Sequence, residues 1–151
     1  MNLKAAFLTL SATVVAGLLL AAPAKESQTE RNKKLVVEFY NKVFQDHDVD
    51  AALTYLTEDY KQHNPMAATG RKAFMDIFRS YFKAFPDARS EIKRVAADGD
   101  LVFLHVHAKM NKTDRGSAVV DILRVRDGKI VEHWDVIQAI PEKSANDNTM
   151  F

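Results

Sequence analysis

A chain of 151 residues with 21 Lys and Arg against 20 Asp and Glu carries a formal charge of +1, so it has neither the basic excess that nucleic acid calls for nor an acidic tail for a basic partner. It contains no cysteine, which excludes disulfides, a thiol nucleophile and lipid anchoring through cysteine. No repeat, low-complexity segment or internal linker divides it, and a single core is expected.

The chain opens Met1-Asn2-Leu3-Lys4, continues with an uncharged apolar run over 5–22 and then reads Ala22-Pro23-Ala24-Lys25. A basic start, an apolar middle and a small-residue Ala-x-Ala site predict a signal peptide over 1–24 and a mature domain over 25–151, periplasmic or secreted, with no stable membrane association after cleavage. The alternative is an uncleaved anchor, because the run approaches the about 20 apolar residues that span a bilayer; the well-formed cleavage site favours removal. Cleavage leaves 127 residues (151 − 24) at formal zero charge, since Lys4 is the one charged side chain lost. That length suffices for one core.

Over 27–45 the residues Leu35, Val36, Phe39, Tyr40, Val43 and Phe44 recur at helical spacing and predict a first helix, with Phe39 and Tyr40 read as core packing. Asp50 is a candidate cap for a short second helix over 51–56. Tyr60-Lys61-Gln62-His63-Asn64-Pro65 follows; Pro65 pushes Asn64 away from helical geometry, so this segment is extended and turns sharply. A third helix over 71–85 places Phe74, Ile77, Phe78, Tyr81, Phe82 and Phe85 on one face and stops at Pro86.

Beyond it the pattern turns to strands: 89–97, a turn at Asp98-Gly99-Asp100, then 101–109, 119–125 and 130–137. Helices followed by an antiparallel meander predict an α+β fold, with three N-terminal helices packed on one face of a strongly curved antiparallel sheet. Alternation puts Phe103, His105 and His107 on one side of their strand and Val102, Leu104 and Val106 on the other, so the two histidines look into the same space. Asp121 shares a face with Val119 and Leu123, an expensive place for a charge.

Asp127-Gly128 is a strong hairpin signal. A two-residue loop pairs Arg126 with Lys129 and Val125 with Ile130, and sets Asp121 opposite Trp134; a three-residue loop starting at Arg126 shifts the partner to His133. The first register is preferred because it gives the carboxylate an aromatic wall. It sends His133 and Asp135 to the opposite sheet face, as surface or subunit-contact residues.

Three helices before a four-stranded meander, Tyr60 to Pro65 ahead of the third helix, His105-Val106-His107, Val120-Asp121-Ile122, and Asp127-Gly128-Lys129-Ile130-Val131-Glu132-His133-Trp134-Asp135 together resemble the SnoaL-like polyketide cyclases of the nuclear-transport-factor-2-like superfamily, over nearly all of 28–141. The resemblance implies a cone-shaped α+β barrel with a conical pocket and, in the characterised cyclases, an intramolecular aldol reaction without a cofactor. There an aspartate in the position of Asp121 acts as acid/base and a histidine like His107 assists.

The residues themselves support that chemistry. Desolvation raises the pKa of a carboxylate, and a base nearer neutrality suits removal of a proton α to a carbonyl; Asp121 is the candidate base. His107 or His105 is the candidate donor to the developing enolate oxygen. His63, Asn64 and, more weakly, Gln62 are placed to close the pocket mouth and orient a substrate carbonyl, with Trp134 as wall.

Three uses of the pocket stay open: a small lyase or isomerase without cofactor acting on a carbonyl compound, a carrier or sensor of a small apolar ligand, and a metal site built from His105, His107, His63 and Asp121. The metal reading ranks last, since the resembled cyclases work without one. An export signal argues against a literal biosynthetic cyclase, whose acyl substrates are cytoplasmic. A homodimer through the outer sheet face is expected, because the helices can cover only one face.

Overall fold

The computed structural model describes residues 26–151. The expected leader, its cleavage site and the anchoring alternative lie outside the described residues. Among the described residues no helix is long and apolar enough to cross a membrane.

Helix α1 (Gln28–Phe44) starts where the Ser27 side chain accepts the Glu30 N–H at 3.2 Å, satisfying an amide that a helix start leaves open. Val36, Phe39, Tyr40 and Val43 form its buried stripe, as the spacing predicts. A 3-10 turn at Val49–Ala51 leads into α2 (Ala52–Tyr55), and its cap is Asp48 rather than Asp50: the Ala51 N–H reaches Asp48 Oδ1 at 3.3 Å. Helix α3 (Arg71–Ala84) follows Gly70, whose φ of 103° is open to glycine and costly for other residues, and it ends ahead of Pro86.

Among the described residues five strands form one sheet: β1 (Leu56–Gln62), β2 (Arg89–Asp98), β3 (Leu101–Lys109), β4 (Ser117–Arg126) and β5 (Lys129–Ala139), in the order β1-β5-β4-β3-β2. The four-stranded meander is as expected, and the fold is α+β with the helices against one face. Two features go beyond the expectation. The stretch 56–62 is a full strand, and it runs parallel to β5, so the sheet is mixed rather than purely antiparallel. Pairing with β5 overrides the weak strand preference of Glu58, Asp59 and Lys61. The sheet is open, with β1 and β2 at its edges.

Val102, Leu104 and Val106 on β3 are fully buried and, with Val36, Phe39 and Val43 of α1 and Ile130 of β5, form the centre of the core. Residues opposite one another across a ladder share a face. Leu104 faces Asp121 and Val106 faces Val119, so Asp121 projects on the side of the core. His105 faces Val120 and His107 faces Ala118, which puts both histidines on the outer side. The sequence reading of β3's alternation holds, but its pairing of the histidine face with Asp121 is corrected. Three aliphatic side chains claim the buried face of β3, leaving the imidazoles to the solvent side.

The β4–β5 hairpin has the expected two-residue loop: Asp127 and Gly128 take φ of 50° and 71°, and Arg126 pairs with Lys129 and Val125 with Ile130. One step later Arg124 pairs with Glu132, so Val131 is an extra residue on β5, a β-bulge. Every later pair moves by one. Asp121 lies opposite Asp135, Ile122 opposite Trp134 and Leu123 opposite His133, so neither register drawn from the sequence is the one found.

Candidate functional site

The bulge at Val131 turns His133, Asp135 and Ile137 inward, beside Asp121 on β4, and sends Trp134 outward. The inward residues meet the aromatic faces of α1 and α3 across a cavity of about 300 Å³. Phe39, Phe44, Phe74, Phe78 and Tyr81 make its apolar wall, and Tyr40, Tyr60, Gln62, Asn64, Asp121, His133 and Asp135 contribute its polar groups. Among the described residues no Lys or Arg lines it.

Asp121 is 7% exposed and is fully engaged. The Tyr40 hydroxyl donates to its Oδ2 at 3.0 Å, and His133 Nε2 lies 2.9 Å from its Oδ1. His133 Nδ1 stands 2.9 Å from Gln62 Oε1, a carbonyl that also accepts the Asn64 backbone N–H at 2.9 Å. Both ring nitrogens of His133 thus face acceptors, and the ring donates to both when it carries two protons. Asn64 Nδ2 contacts both oxygens of Asp135, at 2.9 and 2.7 Å, while its own Oδ1 accepts the Met66 N–H at 2.8 Å, fixing the amide's orientation across Pro65.

Burial, and after it the charge of Asp121, pushes the Tyr40 phenol well above its ordinary value; Tyr60 is raised by burial and then by Asp121 and Asp135. Both therefore stay protonated as donors. A group whose pKa is raised by folding contributes stability below its unfolded value and loses it as pH climbs toward the folded one, so stability should fall from about pH 10 upward. Denaturant midpoints at pH 8 and pH 11 are expected to show a smaller alkaline loss for Tyr60→Phe than for wild type. An equal loss would assign the alkaline weakness to other groups.

Of the seven candidate site residues read from the sequence, Asp121, Gln62 and Asn64 line the cavity. The others do not. His63 bonds Glu132 Oε1 at 2.8 Å and stacks on Trp134 with ring centroids 4.6 Å apart, and Trp134 also carries the Arg124 guanidinium at 5.5 Å; this is a polar-aromatic cluster on the outer face, and Trp134 is no pocket wall. His105 lies 3.1 Å from Arg94, His107 bonds the Arg115 carbonyl at 2.8 Å, and Phe151 stacks on both rings. A metal set of His105, His107, His63 and Asp121 is therefore split across the sheet. Among the described residues the group that could offer three ligand atoms is Asp121, His133 and Asp135, whose atoms lie within 4.8 Å of one another.

Sequence reasoning brought His133 to Asp121 only in its less-favoured register, and it missed Asp135 and the polar roles of Tyr40 and Tyr60. A signal existed: His133 and Asp135, two apart on a strand, must share a face, so one register step brings in both or neither.

The fold superposes on TsrD from Streptomyces laurentii with a TM-score of 0.61 at 16% identity, covering 74% of this chain and 91% of that one. A candidate ketosteroid isomerase from Kribbella flavida gives 0.64 at 20% identity, covering 78% and 85%. A candidate polyketide cyclase from Acidithiobacillus ferrooxidans gives 0.60 at 18% identity, covering 74% and 91%. At these identities the likeness speaks for the fold. A search of curated proteins finds no match. The SnoaL-like domain model matches residues 36–133, more than half of the chain, from the buried stripe of α1 to the inward-facing histidine of β5, and the chain belongs to the SnoaL-like domain family.

Proposed function

We propose that this chain is an exported SnoaL-like domain whose cavity carries out acid/base chemistry, without a cofactor, on a small carbonyl compound, with Asp121 as the base. One observation carries this reading: a buried carboxylate at the polar end of an aromatic-walled cavity, bonded to Tyr40 and His133. Asp121 removes a proton α to the substrate carbonyl, and the electron pair moves onto the carbonyl oxygen as an enolate. The Tyr60 hydroxyl, which lines the same cavity, is the donor that stabilises that oxygen, the part expected from sequence of His105 or His107. The enolate either attacks a second carbonyl of the same molecule, forming a carbon–carbon bond while the new alkoxide takes back the proton from the Asp121 carboxylic acid, or, where a carbon–carbon double bond is conjugated with it, is reprotonated by that acid at the far carbon of the conjugated system. The first outcome is an aldol cyclisation and the second an isomerisation.

The test uses phenylacetone in D₂O, following loss of its benzylic proton signals by NMR with wild type and Asp121→Asn. Faster exchange with wild type than with the mutant supports Asp121 as base. The second reading is non-catalytic binding of a small apolar molecule, favoured by the full engagement of both Asp121 oxygens; it is upheld if phenylacetone binds and its exchange rate does not exceed that of buffer.

Export rests on the n-region, apolar run and Ala22-Pro23-Ala24 site, and N-terminal sequencing is expected to find Lys25 in a periplasmic fraction. Met1 retained in a membrane fraction would overturn it. A homodimer through the outer sheet face is supported by Val120 and Val136, 39% and 68% exposed there. Light scattering at micromolar concentration should report twice the chain mass, and a monomer would rule this dimer out.

A further inference from the structure

We infer that the cavity selects a ligand bearing a protonated amine on a compact apolar body, with Asp135 as the anchor for the ammonium group. The inference rests on the reading above that the cavity is the ligand site, and it adds the charge of what enters.

Asp121 and Asp135 lie directly opposite on β4 and β5, both facing inward. Among the described residues no Lys or Arg lines the cavity and His133 is the one lining side chain able to carry positive charge, and even a doubly protonated His133 leaves the pair of carboxylates short of one cation. An anionic ligand would meet two like charges at close range in a poorly solvated space. A neutral ligand would meet no such cost but would leave the excess charge uncompensated. A cation both balances the charge and is attracted by the aromatic rings of the wall.

The two carboxylates are not equivalent in availability. Each Asp121 oxygen already has a donor, from Tyr40 and from His133. Asp135 has a single neutral partner there, the Asn64 amide nitrogen, which spans both oxygens and aims the group by a side chain itself locked to the backbone at Met66, whereas one of the two donors on Asp121 is an imidazole able to carry the balancing charge. Asp135 is thus pre-oriented and able to take further N–H donors. Asp121 as base and Asp135 as anchor divide the work. Together they point to amino-carbonyl compounds as the substrate class.

Isothermal titration of wild type at pH 7.5 with phenethylammonium, 2-phenylethanol and phenylacetate compares one apolar body with three head groups. Phenethylammonium is expected to bind about tenfold or more tightly than 2-phenylethanol, a difference of about 1.4 kcal/mol, and phenylacetate weakest of the three. Asp135→Asn, which is isosteric, should bring the amine down to the level of the alcohol and leave the alcohol unchanged. Equal or tighter binding of the alcohol, tightest binding of phenylacetate, or no amine binding at millimolar concentration overturns the proposal, and the wild-type series alone decides it should the mutant not fold. Phenylacetone exchange is read separately, so a wild type that shows no amine selectivity while its exchange exceeds that of buffer defeats this inference and spares the acid/base reading.

Discussion

Asp121→Asn should lower the rate of phenylacetone proton exchange by about 10²–10⁴-fold, the range a general base supplies, while the protein stays folded. Asn keeps the shape of the side chain, can still accept one hydrogen bond and has lost the group that takes a proton. From sequence alone, removing the Asp121 charge is neutral or slightly stabilising if desolvation dominates and destabilising if a structural partner holds the carboxylate. The structure supplies such partners. The carboxylate accepts from Tyr40 at 3.0 Å and from His133 at 2.9 Å, so the mutant leaves a buried donor poorly matched and should lose about 1–3 kcal/mol. His133→Ala, expected from sequence to matter little, should now impair exchange, because it removes the partner that orients the base. Exchange by NMR and denaturant melts of the same samples separate the two effects. Full activity in Asp121→Asn would remove it as the base, and unchanged activity in His133→Ala would leave His133 a purely structural neighbour.

Phe39→Ala should be the most destabilising single change at the site, by about 3–5 kcal/mol, the cost of emptying a large aromatic side chain from a packed interior. Phe39 is 2% exposed, and its ring meets those of Tyr55, Phe74 and Phe44 at centroid distances of 5.8, 5.9 and 6.4 Å. It also lines the cavity, so the void left by Ala would join the existing space and the wall could not close over it. Ile77 lines the same cavity but is 42% exposed, and Ile77→Ala should cost about 1 kcal/mol or less. Urea denaturation of the two variants checks the contrast. Similar losses would mean that α1 and α3 share the load of the core evenly rather than through Phe39.

The fold was legible because its signals are periodic and local. Helical spacing in α1 and α3, alternation in β3 and β4, and the Asp127-Gly128 loop each follow from a few neighbouring residues, and the structure has them where the spacing puts them. The burial of Asp121 was legible for the same reason, since Val119 and Leu123 bracket it on one face. Strand β1 was less so. Its polar residues carry no strand signal of their own, and only the parallel edge of β5 makes it a strand.

What surrounds Asp121 was decided by tertiary structure. The sequence alone determined that β4 and β5 pair through a two-residue loop and that His133 and Asp135 stay together on one side of β5. Which side was set by a single extra residue, Val131, in a position where neither glycine nor proline marks a bulge. Because side chains alternate with a period of two, that one step carried His133 and Asp135 into the cavity and Trp134 out of it. Likewise, alternation grouped His105 with His107, but only the cross-strand partners Leu104 and Asp121, packed on the core side, showed that the histidines face the other way.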